Sequence, residues 1–159
     1  MKKLSFLLLF VFLLAACGGG SAATINDIAV YPDAAALEPG VDPVADTLVN
    51  NMVQDAQVRS SAGVGGQIEQ KAYRLPAGTT WQQVESFYND KLGSDGWKSG
   101  LGGIAGNIAG DVMSSVNQSN DLFQTGIWSK GDQTLTLIRV ADSSAGDDAF
   151  FLIMSLATN

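Results

Sequence analysis

Phe150-Phe151-Leu152-Ile153-Met154-Ser155-Leu156 is apolar at odd and even positions alike. Alternate side chains of an extended chain point to opposite faces, so such a strand lies inside a sheet with something packed on each side. Upstream, Leu122–Trp128 and Thr134–Val140 also read as strands. Ser129-Lys130-Gly131-Asp132 and Asp142–Asp148 supply the turns between the three, and connections this short make an antiparallel meander the simplest topology. At least one side of that sheet must be covered by helices.

The preceding residues provide them. Asp42-Pro43 joins an N-cap residue to proline at the first helical position, and Val41, Val44, Ala45, Leu48, Val49, Met52, Val53 and Ala56 follow at helical spacing. Thr80 and Gln83 have the spacing of a capping box, and Trp81, Val84, Phe87, Tyr88 and Leu92 form one apolar face of a second helix that ends at Gly93. Leu101 to Val116 repeats the pattern through Ile104, Ala105, Ile108, Ala109, Val112 and Met113, which predicts a third, glycine-loosened helix. Short extended segments are expected at Ile28–Tyr31, where Pro32 stops the strand, at Gln67–Leu75 after the glycine-rich Ser60–Gly66, and from Gly96-Trp97. The expected fold is α+β: an antiparallel sheet of a C-terminal three-strand meander plus one or two N-terminal strands, packed by two or three amphipathic helices. No later linker and no repeat divides the chain, so residues 25–159 read as one domain.

The first residues have another purpose. Met1-Lys2-Lys3 is a positive n-region, and Leu4 to Leu14 is an apolar run too short for a membrane span, which needs about 20 residues. Leu14-Ala15-Ala16-Cys17 resembles the bacterial lipobox, in which a peptidase recognises small residues and cuts just before a diacylated cysteine. The resemblance implies a signal peptide over 1–16 and a mature chain whose first residue, Cys17, carries fatty acyl chains such as palmitate. Two or more chains give stable anchoring where one is marginal, since each buried methylene contributes about 0.8 kcal/mol. Residues 17–24 then form the acylated cysteine and a short Gly/Ser tether. The expected location is outside the cytoplasm on a bacterial membrane, the outer one where the cell has two, because Gly18 and not aspartate follows the cysteine.

Composition removes several kinds of chemistry. Losing Lys2 and Lys3 with the leader leaves seven basic against 16 acidic residues, a net charge of −9. That field disfavours nucleic acid and polybasic docking to anionic lipid. With no histidine and one cysteine, the chain has no intramolecular disulfide, no histidine-type pH switch, no base for Cys17 or for a serine nucleophile, and no His/Cys metal set. Gly63-Val64-Gly65-Gly66 lacks the Lys and Ser/Thr of a phosphate loop, and Asp142–Asp148 lacks the spacing of a calcium loop. No metal and no cofactor are expected.

Phe87-Tyr88-x-x-x-Leu92-x-x-x-Gly96-Trp97, with Val30-Tyr31-Pro32-x-Ala34, resembles a group of bacterial envelope lipoproteins and exported domains of unknown function. The resemblance implies an amphipathic helix leading into a Gly-Trp strand and a meander, and it brings no catalytic residues. Trp81, Tyr88 and Trp97 are either packing residues or the lining of an aromatic groove. Gly102, Gly106 and Gly110, four apart, are either a close-packing stripe against the sheet or an interaction helix for a partner or for self-association. Glu69 and Glu85 are carboxylates with nothing in the sequence to bring them together. The expected role is a non-enzymatic binding or structural module of the envelope, bound to the membrane through Cys17 and touching an envelope protein or itself. The alternatives are a carrier of a small apolar or sugar-like ligand and a carboxylate-dependent hydrolase.

Overall fold

A computed structural model describes residues 22–61, 66–100, 113–142, 145–146 and 148–159. The elements run β1 (Ala35–Ala36), α1 (Pro43–Ser61), β2 (Gln67–Arg74), α2 (Trp81–Ser94), β3 (Lys98–Ser99), α3 (113–119), β4 (Phe123–Lys130), β5 (Gln133–Ala141) and β6 (Phe150–Thr158). The six strands form one antiparallel sheet in the order β1-β2-β6-β5-β4-β3. The protein is α+β, and the meander β4-β5-β6 is the one its turn signals predict. Between β4 and β5 only Gly131-Asp132 intervenes, Lys130 facing Gln133, and Gly131 sits at φ +60 in the position that a two-residue hairpin reserves for glycine.

β6 lies between β2 and β5, and its double-sided composition is used in full. Phe150, Leu152, Met154 and Leu156 enter a larger core with Tyr73, Leu135, Leu137 and Trp128 beneath α2, whereas Phe151 and Ile153 enter a smaller one beneath α1. Phe151, Leu152, Ile153 and Met154 are all fully buried. Burying one such side chain contributes about 1.5–3 kcal/mol, so this strand anchors both layers. Gly126 on β4 makes room for the larger core: a Cβ there would stand 2.6 Å from Trp128 and 3.0 Å from Trp81.

Local chemistry sets the helix starts. The Asp42 carboxylate accepts from the N–H groups of Val44 and Ala45 at the head of α1. Thr80 and Gln83 form the expected capping box on α2: Thr80 Oγ1 accepts from the Gln83 N–H, and the Thr80 N–H donates to Gln83 Oε1 at 2.8 Å. The apolar face of α1 is narrower than its sequence spacing implies. Ala45, Val44, Leu48, Val49 and Met52 pack on the sheet, but Val41 and Val53 are exposed.

The first strand is displaced from its expected place. Residues 25–27 form a turn, closed by the Asp27 N–H on the Thr24 carbonyl and by the Thr24 N–H and hydroxyl on the Asp27 carboxylate. That turn sends both Ile25 and Ile28, three residues apart, into the core, where a strand would point them to opposite faces. After Asp33 at φ +57 redirects the chain, pairing begins at Ala35–Ala36 against Arg74 and Tyr73. Of the third expected helix, Leu101 to Val116, the part from 113 is helical and continues to 119; residues 101–112, with Gly102, Gly106 and Gly110, lie outside the described residues.

Candidate functional site

Strands β2 and β5 run upward from a foot, marked by Gln67 and Gln133, to a head, marked by Arg74 and Ala141. A cleft of about 510 Å³ opens at the head between the start of α2, the helix α3 and the upper part of β4. The capping box holds the first turn of α2 so that Trp81, Gln82 and Glu85 form one wall. Ser114, Asn117 and Gln118, at i, i+3 and i+4, form the opposite wall, and Asp121 and Gln124 complete the lining.

Among the described residues the Asn117 side chain ties α3 to the sheet. Asn117 donates its amide N–H to the Thr125 carbonyl at 2.7 Å and accepts from the Thr125 N–H at 2.9 Å. It thus pairs with the edge of β4 as another strand would. Below this edge the Gly100 N–H donates to the Ile127 carbonyl, and above it Asn120 Oδ1 accepts from the N–H groups of Leu122 and Phe123. An otherwise open edge is closed by short local contacts.

Beside Gln124 lies a buried cation. Arg139, on the inward-facing row of β5, donates Nε and Nη2 to the Thr79 carbonyl and Nη1 to Gln124 Oε1 and the Asp121 carbonyl. Its guanidinium lies 3.3 Å above the centre of the Phe150 ring. Burial lowers its pKa, and the nearby Asp121 charge opposes the shift. Carbonyl and amide oxygens satisfy this cation, so Arg139 fixes Gln124 and the loop before β4 in place and is itself no part of the cleft's lining.

Several lining groups are already committed. Asn117 is used at both ends, Gln124 Oε1 accepts from Arg139, and Gln118 Nε2 donates to Ser114 Oγ. Gln82, Glu85 and Asp121 remain to offer polar atoms to whatever enters. Burial raises the Glu85 pKa above the ordinary glutamate value. Among the described residues no lining residue is cationic.

The three candidate groove aromatics share one core but do not line one cleft. Trp81, Tyr88 and Trp97 are all buried, since the spacing that could have lined a groove is the spacing of the core face of α2 and its exit. Trp81 alone of them borders this cleft. The Tyr88 hydroxyl contacts Met154 Sδ at 3.7 Å, its pKa raised by burial and then by the neighbouring Tyr73. Trp97 borders a smaller hollow at the foot. Glu69 accepts from the Ile25 N–H and is not among the residues that line the cleft with Glu85. Cys17 and the recognition residues Leu14, Ala15 and Ala16 lie outside the described residues.

A second groove, of about 540 Å³, runs between α1, β2 and the segment after β1; Leu37, Val49, Ala72 and Gln70 are among its lining, and the side-chain oxygen Gln70 Oε1 is buried without a partner among the described residues. Asp142, at the start of the β5–β6 loop, is fully buried and accepts from Arg74. Among the described residues no group of three or more His, Cys, Asp or Glu side chains could hold a metal. Sequence reading missed Arg139, although a charge on the inward row Leu135-x-Leu137-x-Arg139 was the signal that could have found it. Compared with protein-family models, curated proteins and solved structures, the chain matches none of them.

Proposed function

We propose that this protein is an extracytoplasmic lipoprotein, anchored through acylated Cys17, whose domain is a non-catalytic module that binds a polyhydroxylated, sugar-like ligand in the head cleft. One observation carries the ligand class: among the described residues the lining of the cleft is mainly amide, hydroxyl and carboxylate, with one tryptophan and no cation. Hydrocarbon is poorly matched to such a lining, and so are phosphate and other anions, which need positive charge. Hydroxyl groups suit it, because each can donate to Glu85 or Asp121 and accept from the Gln82 amide.

The anchor and the ligand are tested separately. Replacing Cys17 by alanine is expected to move the protein from the membrane to the soluble fraction and to abolish the mass of the acyl chains. Membrane retention with unchanged mass overturns the anchor. For the ligand, saccharides of the cell envelope are titrated while the Trp81 indole N–H is followed by NMR. A saturable shift is expected, weakened roughly 5- to 100-fold by Gln82→Ala or Asp121→Asn, since removing one hydrogen-bonding partner costs about 1–3 kcal/mol. No response at millimolar saccharide rejects the ligand class. Glu85 and Asp121 also share the cleft, which is the observation that favours a carboxylate hydrolase as the second reading. Release of new reducing ends in the same titration would replace binding by hydrolysis.

A further inference from the structure

The domain begins where a side chain takes hold of the backbone. Gln133, at the foot of β5, accepts from the Ala23 N–H at 2.9 Å and donates to the Ala23 carbonyl at 2.7 Å. It also donates to Thr158 Oγ1 near the end of β6, so the N-terminal segment, the β4–β5 turn and the last strand meet at one point. Five residues lie between Cys17 and Ala23, and the six Cα-to-Cα steps reach at most about 20 Å when fully extended. The cleft is as far away in the other direction: Gln124 faces Arg139, six residues up the strand from Gln133, or about 20 Å.

Charge is distributed along the same axis. Lys91 and Lys130 line one hollow with Ala23, and Lys98 stands opposite Ser129 beside them. All three lysines are exposed and none is ion-paired among the described residues. Asp27, Asp95 and Asp132 balance them, so the foot is near neutral in a mature chain of net charge −9. The cations Arg74 and Arg139 near the head are engaged internally, and Glu85, Asp121 and Asp148 leave that end acidic. An anionic bilayer repels such a body as a whole and repels it least when the lysine end is down.

Resting on the lipid anchor at Cys17, we infer that the foot of the sheet is a surface for anionic phospholipid headgroups, against which Lys91, Lys98 and Lys130 stand, and that the head cleft opens away from the membrane. Its ligand therefore arrives from the aqueous compartment or from a polymer lying above the bilayer, and not from the lipid leaflet. The acyl chains hold the protein; the lysines and the short tether set which end meets the surface.

The test uses the acylated full chain in vesicles of phosphatidylcholine and phosphatidylglycerol, with a new cysteine placed at either end. Asp132→Cys labels the foot and Leu122→Cys labels the head, both at exposed positions. Quenching of the attached fluorophore by spin-labelled headgroups is expected to be several-fold stronger at 132 than at 122. Equal quenching, or stronger quenching at 122, overturns the orientation. Protein left in the supernatant shows instead that the anchor has failed, and the inference falls with it. Exchanging Lys91, Lys98 and Lys130 together for glutamine is expected to reduce the contrast in vesicles with phosphatidylglycerol and to leave it unchanged in phosphatidylcholine alone. A contrast unaffected in both removes the lysines from the assignment.

Discussion

Glu85 shows how one carboxyl can serve a cleft at the expense of the fold. Burial raises its pKa, so the folded chain holds this proton more tightly than the unfolded chain does. Its contribution to stability is complete below the ordinary glutamate pKa and is lost as the pH rises through the raised folded value. Glu85→Gln removes the ionisation while keeping the shape. The variant is expected to melt above the parent at pH 7 and level with it near about pH 3, where both states of the parent are protonated. Thermal melts at the two pH values check this; a variant that melts lower at pH 7 would show that the carboxylate makes contacts that outweigh its desolvation. At this scale the sequence was legible wherever spacing alone determines the environment, as for Val84, Tyr88 and Leu92 on the buried face of α2. For Arg139 it shows only a charge on an inward row; the acceptor Thr79 is 60 residues away and is paired with it only through the fold.

At the scale of elements, the edge of β4 depends on Asn117 more than on regular pairing. Among the described residues only Lys98 and Ser99 form ladder contacts with it, opposite Ser129 and Trp128, and the Thr125 peptide higher up is satisfied by the Asn117 amide. Asn117→Ala leaves both backbone groups of Thr125 to find water and frees one wall of the cleft. A loss of about 1–3 kcal/mol is expected in urea unfolding, with faster hydrogen exchange at Thr125 and unchanged exchange in the middle of β6. Unaltered protection at Thr125 would show that α3 is held by something else. The sequence announces β6 because its composition is double-sided, and α2 because its cap and face agree. It does not announce β1, since Ala34-Ala35-Ala36 carries no alternation and the two residues that pair owe their conformation to β2. Ile28–Tyr31 reads more like a strand than β1 does, because its apolar and aromatic residues are stopped by Pro32, yet Ile28 reaches the core from a turn that it shares with Ile25.

Across the whole molecule, the two layers must be joined at the head, where α1 covers one face of the sheet and α2 the other. Arg74 makes that connection. Its guanidinium donates Nη2 to the Asp42 carboxylate that caps α1 and Nη1 to Asp142 at the start of the β5–β6 loop, and it lies 4.8 Å from the centre of the Phe151 ring. One side chain at the end of β2 therefore ties a helix start, a central strand and a loop that closes on α2's approach through the Gly78 N–H and the Asp148 carbonyl. Asp142 is fully buried while the Arg74 side chain is 34% exposed, so water reaches one partner and not the other. Arg74→Leu keeps much of the packing on Phe151 and withdraws the positive charge from Asp142. Breaking a buried pair costs about 3–5 kcal/mol, and the exposure of Arg74 places the expected loss at the lower end of that range or slightly below it. Urea unfolding measures it. Asp142→Asn in the same background should recover most of the loss, because the residue left behind is then neutral and can still form hydrogen bonds. If Arg74→Leu changes the stability by less than about 0.5 kcal/mol, then other donors hold Asp142, and the coupling of the two layers lies in β6 alone.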